Sequence, residues 1–398
     1  MREQIQLNYL REILNNYVGQ EPFNVYLKQF FRQNKNLGSR DRKFYSSICY
    51  HFLRCNPLQN ENNFESRLVI SEFLFNPFNS EFQSFLQEKI ELKLPSSNTN
   101  PFEKKLEDLV KEGILKPLTN YFPYAEKISS EIEKQPFFLS HFKQPLTWLK
   151  AKPGKAVELV KSIQASGLEV VQIDEQTSCI GIEQGTNLES MGIPADFFQI
   201  QDRSSQKTIE VIRPQKNSKI WDCCSGAGGK SLMIKDQEPS VELYASDARP
   251  EILKNLKIRF KQYGITGFKI AQVDLKKLDE LVFGQELIPE GFFDQIVADV
   301  PCSGSGTWGR NPEWLSFFEG SKIEYYSKLQ FQICRNAQRF LKTNGVFNYI
   351  TCSVFADENE INVKKLVDIC GLKLINQEYI KGYSNQADTM FAATLIKS

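Results

Sequence analysis

From residue 217 onward, short apolar runs alternate with segments of helical period, and each run stops at a polar residue. Ile220-Trp221-Asp222-Cys223-Cys224 reads as a strand, followed by a glycine turn and a helix from Lys230. Residues 241–246 read as a second strand ending at Asp247, and 251–263 as a helix. Residues 268–273 form a third run ending at Asp274. Residues 295–298 form a fourth, ending at Asp299, and 346–350 a fifth, ending at Thr351, with a long helix over 325–341 between them. A last strand is expected over 389–396. Alternation of this kind predicts an α/β fold, a doubly wound sheet with helices on both faces. In such sheets ligands bind in the crevice outside the carboxyl ends of the strands, so the residues that end each run are the candidates for function.

Upstream the texture differs. Residues 1–143 read as helical, with apolar positions at three- and four-residue spacing in Ile5, Leu7, Leu10, Ile13, Leu14 and Tyr17, and again in Phe44, Tyr45, Ile48, Phe52 and Leu53. Further helices are expected near 64–75 and 102–110. Residues 144–208 read as a small strand–helix–strand unit, over 146–151, 155–165 and 168–173. It ends where Asp202 or Ser204 is placed to cap a helix. The expected division is therefore 1–143, 144–208 and 209–398, and a chain of 398 residues is too long for one ordinary core.

Hydrophobic residues make up 41% and charged residues 24%, the composition of a soluble globular protein. No apolar run is long enough to span a bilayer, and the first residues lack the plan of a signal peptide. Nine cysteines without framework spacing fit a reducing compartment, so a cytoplasmic protein is expected. A net charge of +1 confines any nucleic-acid surface to a local patch. Arg32, Lys35, Arg40, Arg42 and Lys43 offer one such patch, and Lys207, Arg213, Lys216 and Lys219 another. The two histidines, His51 and His141, lie far from every motif, so no metal site is expected. A monomer is expected, without membrane contact.

Three motifs carry the chemistry. Asp222-Cys223-Cys224-Ser225-Gly226-Ala227-Gly228-Gly229-Lys230-Ser231 joins the first strand to its helix. Its glycines let the backbone approach a ligand and aim amide N–H groups from a helix start. Gly229-Lys230-Ser231 imitates the end of a P-loop, but Cys224 stands where a P-loop needs its first glycine. Asp247, ending the second strand, is placed to accept both ribose hydroxyls of an adenosine, and Asp274, ending the third, to meet its amino group. This order of glycine turn and acids points to S-adenosylmethionine, held by Cys224, Ser225, Gly226, Ala227, Gly228, Gly229, Lys230, Asp247 and Asp274. The other two motifs, Asp299-Val300-Pro301-Cys302-Ser303-Gly304 and Thr351-Cys352-Ser353, each place a thiol just beyond a buried strand. Two thiols and a carboxylate in one crevice suit attack on an electrophilic carbon, and a cytosine ring attacked at C6 explains why two cysteines are wanted. Cys49, Cys55, Cys179, Cys334 and Cys370 are expected to be inert thiols.

These motifs resemble those of the RsmB/Nop/Sun group of RNA cytosine-C5 methyltransferases. The glycine turn resembles the group's D-x-C-A-A-P-G-G-K-T, with Ser225, Gly226 and Ala227 in place of A-A-P. Asp299 to Gly306 is similar to its D-A-P-C-S-G-x-G. Thr351-Cys352-Ser353 is similar to its strand ending T-C-S, with Glu358-Asn359-Glu360 shortly after. Leu37-Gly38-Ser39-Arg40-Asp41-Arg42 resembles a NusB-like N-terminal domain, as found in the RsmB branch. The resemblance implies a Rossmann-like methyltransferase domain preceded by an RRM-like subdomain and a NusB-like helical domain. It also implies roles. Spacing leaves open which cysteine adds to the ring, and the resemblance assigns that step to Cys352. Cys302 would assist loss of the C5 proton and release of the enzyme, Asp299 would meet N3 and the exocyclic amine and also contact the cofactor, and Lys230 would orient the carboxylate or stabilise a thiolate. Ribosomal RNA of the small subunit is the implied substrate. A transfer RNA, or a non-catalytic RNA-binding or assembly role, is the alternative. Residues 304–314, with Trp308 and Trp314, read as a lid over the site, with either ring placed to stack on RNA or to plug the lid against the sheet.

Overall fold

The computed structural model describes residues 2–398 apart from 60–62, 77–79, 96–99, 175–178, 186, 187, 189–191, 195 and 196. The chain forms two compact units. The first consists of Met1–Glu126, Lys134–Lys143 and Trp308–Glu319 and is helical. It holds α1 (Arg2–Asn16), α2 (Phe23–Gln33), α3 (Ser39–Cys55), α4 (Phe64–Phe75), α5 (Glu81–Gln87), α6 (Phe102–Lys111) and α7 (Lys134–Ser140). The late segment adds a single turn, Trp314–Phe317, which is α13 in chain order. The core takes the residues whose spacing marked the helices, Leu7, Leu10, Ile13, Tyr45, Ile48 and Phe52 among them. Helix α2, which the sequence reading passed over, contributes Phe23, Leu27, Phe30 and Phe31.

The second unit consists of Lys127–Glu133, Gln144–Thr307 and Gly320–Ser398. It opens with β1 (Thr147–Ala151), α8 (Ala156–Ala165), β2 (Val170–Asp174), β3 (Cys179–Ile182) and β4 (Phe198–Ile200). The four strands form an antiparallel sheet in the order β2-β3-β1-β4. Leu149, Ala151, Ile180 and Ile182 pack with Leu159 and Ile163 of α8. The strand–helix–strand reading therefore gains two strands. Helix α9 (Arg203–Lys207) then starts with Asp202 as its cap, the carboxylate accepting from Ser204 N at 2.8 Å.

After α10 (Ile209–Ile212) come β5 (Lys219–Asp222), α11 (Gly229–Gln237), β6 (Glu242–Asp247), α12 (Pro250–Gln262) and β7 (Phe268–Gln272). A small hairpin, β8 (Leu281–Phe283) and β9 (Glu286–Ile288), precedes β10 (Phe293–Asp299). Then come α14 (Ser321–Ala337), β11 (Leu341–Thr351), α15 (Glu360–Cys370), β12 (Leu372–Lys381) and β13 (Thr389–Lys397). Seven of these strands make one sheet in the order β12-β13-β11-β10-β5-β6-β7. β11, β10, β5, β6 and β7 run parallel, and β13 is antiparallel to β11. Alternate residues of each strand face opposite ways. Trp221, Tyr244, Phe293, Ile296 and Phe347 pack with Ile333 and Ala337 of α14 and Val363 and Leu366 of α15. Ile220, Leu243, Val297 and Ile350 pack with Leu232 of α11 and Leu253, Leu256 and Phe260 of α12. The sheet is thus wound on both faces, as the alternation predicts. The chain leaves β5 toward β6 and β7, then returns to β10 and β11 on its other side. The crevice that forms at such a switch point lies beyond the carboxyl ends of β5 and β10.

Candidate active site

A cavity of about 710 Å³ opens at that crevice, a size that suits a nucleoside-bearing ligand. Its walls include Cys224 to Ala227, Gly229, Lys230, Asp247, Asp274, Asp299, Cys302 and Cys352. Of the sequence-predicted site residues, Gly228 alone is not on the wall. It serves the shape of the turn instead, at φ +82° and with its N–H donating to Ser225 O at 2.8 Å. A Cβ at Gly228 would lie 2.8 Å from Phe260 Cε1 and 3.1 Å from Leu256 Cγ, so only glycine lets α12 approach this closely.

Asp222 ends β5 fully buried, and one of its oxygens accepts from Ser231 Oγ at 2.6 Å. This bond pins the start of α11 to the strand. Burial raises the Asp222 carboxyl to about 7, against the Ser231 bond, which lowers it. Asp247 ends β6 at 7% exposure. Its Oδ2 accepts from Gly226 N at 3.0 Å, so the strand end holds the glycine turn in place. Arg249 clasps the same carboxylate, Nε to Oδ1 at 2.9 Å and Nη2 to Oδ2 at 3.0 Å. Burial works to raise the Asp247 carboxyl, but the Arg249 and Gly226 bonds prevail and its pKa is lowered. A ribose reaching Asp247 would exchange its hydroxyls for the Arg249 side chain, which is 67% exposed and has room to leave. Sequence reasoning missed Arg249, although its place two residues after the acid makes a local clasp possible. Asp274 is more open, and its carboxylate accepts from Lys276 N at 3.1 Å.

The candidate reacting groups sit where β10 and β11 end. These strands pair in parallel up to Asp299 opposite Ile350. Beyond that point the chain bonds Val300 N to Ile350 O at 3.1 Å and Gly306 N to Cys352 O at 2.9 Å, keeping the two turns side by side. A Cβ at Gly306 would fall 2.0 Å from Thr389 O, so glycine is required for that approach. The Cys302 and Cys352 sulfurs are 3.3 Å apart, and both residues are partly exposed. The hydrogen bond with Cys352, together with burial, pushes the Cys302 thiol well above the usual thiol range. Lys230 Nζ donates to Asp299 Oδ2 at 2.6 Å, an ion pair of a buried ammonium and a carboxylate one-third exposed.

The five cysteines expected to be inert separate from this pair. Cys49, Cys55, Cys179 and Cys334 are buried, whereas Cys370 is partly exposed and lies off the cavity wall. Trp308 is fully buried and stacks on Phe122, ring centroids 5.0 Å apart at 20°. Trp308 thus neither stacks outward nor plugs a lid against the sheet, since it is buried within the helical unit. Tyr325 and Tyr326 of α14, which the sequence reading did not single out, line the cavity instead.

Residues 209–394 match the family model described as 16S rRNA methyltransferase RsmB/F. This segment contains β5 to β11, the glycine turn and both thiols. Residues 209–394 belong to the RsmB/F methyltransferase family. Among curated relatives, the chain is 25% identical over 224 residues to ribosomal RNA small subunit methyltransferase B of Proteus mirabilis, covering 54% of this chain and 50% of that protein. It spans about half the length of such relatives. Among solved structures, the crystal structure of PH0851 superposes with a TM-score of 0.69 at 19% identity, covering 99% of this chain and 97% of that one. NSun6 from Pyrococcus horikoshii, solved with SFG, has a TM-score of 0.56 at 17% identity, covering 69% of this chain and 99% of that one. At these identities the likeness is one of fold, and the RsmB/F segment has the Rossmann-like architecture of methyltransferases.

Proposed function

We propose that the protein is an S-adenosylmethionine-dependent RNA cytosine-C5 methyltransferase acting on small-subunit ribosomal RNA in the cytoplasm, as a monomer. The observation that carries this reading is the 3.3 Å approach of Cys302 and Cys352 on the wall of a cavity that also holds Asp247 and the glycine turn. The names of the curated relatives support ribosomal RNA as the substrate. No helix among the described residues is long and apolar enough to cross a membrane.

The cavity residues fit the cofactor. Asp247 is an acceptor at a strand end, the turn at Gly226 has φ +52° with open space where a Cβ would project, and Asp274 stands further along the same wall. Cys224 to Lys230, Asp247, Asp274 and Asp299 would hold it. When bound, S-adenosylmethionine supplies an electrophilic methyl group. The chain's own residues do the rest. Cys352, as thiolate, forms a bond to C6 of cytosine, and the ring electrons move to C5. Asp299 meets N3 and the exocyclic amine, and a proton delivered through the Lys230–Asp299 pair offsets the negative charge that grows there. Once C5 carries its methyl group, Cys302, as thiolate, takes the C5 proton, the C5–C6 double bond re-forms, and the Cys352 sulfur leaves with its electron pair. The base has to leave its stack to reach these sulfurs, and Tyr325 and Tyr326 line the cavity through which it would come. The four-stranded subdomain and the helical unit serve, in this reading, as RRM-like and NusB-like RNA-docking elements.

Incubation with tritiated S-adenosylmethionine and small-subunit ribosomal RNA should place label on cytosine C5. Label on transfer RNA alone would move the substrate class. No incorporation into any RNA would favour a non-catalytic RNA-binding factor.

A further inference from the structure

Glu358 lies where the two thiol-bearing turns meet, and no catalytic step yet assigned uses it. It ends the helical turn Ala356–Glu358, is 0% exposed, and is not on the cavity wall. Its Oε2 accepts from Ser303 N at 2.9 Å and from Gln330 Nε2 at 2.8 Å. Its Oε1 accepts from Ser353 Oγ at 2.7 Å. Ser303 directly follows Cys302 and Ser353 directly follows Cys352, so one carboxylate is bonded to the chain neighbour of each sulfur. The bonds extend outward. Ser303 Oγ reaches Ser353 Oγ at 3.2 Å, Ser305 Oγ lies 3.1 Å from Ser353 Oγ, and Val354 N donates to Ser305 Oγ at 2.9 Å. Gln330 Nε2 also donates to Pro301 O at 2.9 Å, just before Cys302. Burial raises the Glu358 carboxyl, and the three donors oppose that rise. Such bonds around a reacting group fix its rotamer and its distance from its partner.

We propose that Glu358 is the positioning residue of the thiol pair, clamping the Cys302 turn to the Cys352 turn so that the two sulfurs stay in contact. This deepens the cytosine-C5 reading and rests on it. A proton taken from C5 must reach Cys302 while the ring is still bonded to Cys352, so the gap between the sulfurs governs the step. A displacement of ~1 Å at such a centre costs roughly 100-fold in rate.

The test uses the full chain with Glu358→Ala and Glu358→Gln and reads two quantities. One is methyl transfer, as kcat and as KM for S-adenosylmethionine. The other is the yield of a Cys302–Cys352 disulfide under diamide, located by peptide mapping. In that oxidation the two thiols give up two protons and two electrons, an S–S bond forms, and the azo bond of diamide takes them up to become a hydrazine. We expect Glu358→Ala to lower kcat roughly 100-fold with KM changed less than about twofold, and to lower the disulfide yield in parallel. Glu358→Gln keeps the shape and one carbonyl acceptor, and should lose less of both. Should Glu358→Ala fail to melt cooperatively, Glu358→Gln carries the comparison. Wild-type disulfide yield in the folded variants overturns the proposal, as does wild-type kcat in a folded Glu358→Ala protein. If the wild-type chain transfers no methyl group, the cytosine reading fails, and the disulfide yields still decide whether Glu358 holds the sulfurs together.

Discussion

Asp222 shows what a buried acid does at the floor of this site. It is fully buried, and Ser231 satisfies one oxygen. Its carboxyl is raised from the ordinary 3.8 to about 7, chiefly by burial. A raised acid binds its proton more tightly in the folded chain than in the unfolded one. The stability it contributes is complete below 3.8 and is lost as pH rises through about 7. Asp222→Asn carries no such dependence. Thermal melts at about pH 5 and about pH 8 should therefore show the Asn variant gaining on the wild type as pH rises. A gap that stays constant or moves the other way would mean that Asp222 ionises as an exposed acid does.

At the scale of elements, the glycine turn is the segment least tolerant of change. Gly228 is left-handed and its missing Cβ is the space that Phe260 and Leu256 of α12 occupy. Gly228→Ala should cost about 1–3 kcal/mol from the backbone conformation, with overpacking against α12 added. Denaturant unfolding would read that loss, and a titration with S-adenosylmethionine should show weaker binding. An unchanged midpoint would show that α12 yields. The same scale shows why some elements were legible and others were not. The strands that end at Asp222, Asp247 and Asp299 were readable because buried parallel strands are nearly continuous apolar runs. Helix α2 was missed although Phe23, Leu27, Phe30 and Phe31 have helical spacing. Pro22 precedes it with no side-chain cap, and the bond to its first N–H comes from Glu313, 3.0 Å away and distant in sequence. Strand β12 was missed because its side chains are largely exposed and a register shift between Leu374 and Asn376 breaks the alternation. The long helix ends at Ala337, not 341, because Leu341 already pairs with Phe293. Glu358 was visible only as part of a family motif, since nothing local in the sequence says that a carboxylate will join two turns.

At the largest scale, a net charge of +1 leaves binding to local patches, and the residues of the proposed site all fall in the second unit. That unit brings residues 222, 247, 299, 302 and 352 to the carboxyl ends of one sheet. The helical unit takes in Trp308–Glu319, a stretch only a few residues beyond the Cys302 turn in sequence. Sequence alone could not show that Trp308 would be buried on Phe122 in that unit, because its partner lies far upstream.

The proposed chemistry turns on a division of labour between two touching sulfurs. It is tested by incubating Cys302→Ala and Cys352→Ala proteins with S-adenosylmethionine and small-subunit ribosomal RNA, then resolving them on denaturing gels. Cys302→Ala should accumulate a covalent protein–RNA band, because Cys352 adds to the ring and release is blocked, while Cys352→Ala should give no band and no methyl transfer. A covalent band from Cys352→Ala, with none from Cys302→Ala, would reverse the roles and contradict this account.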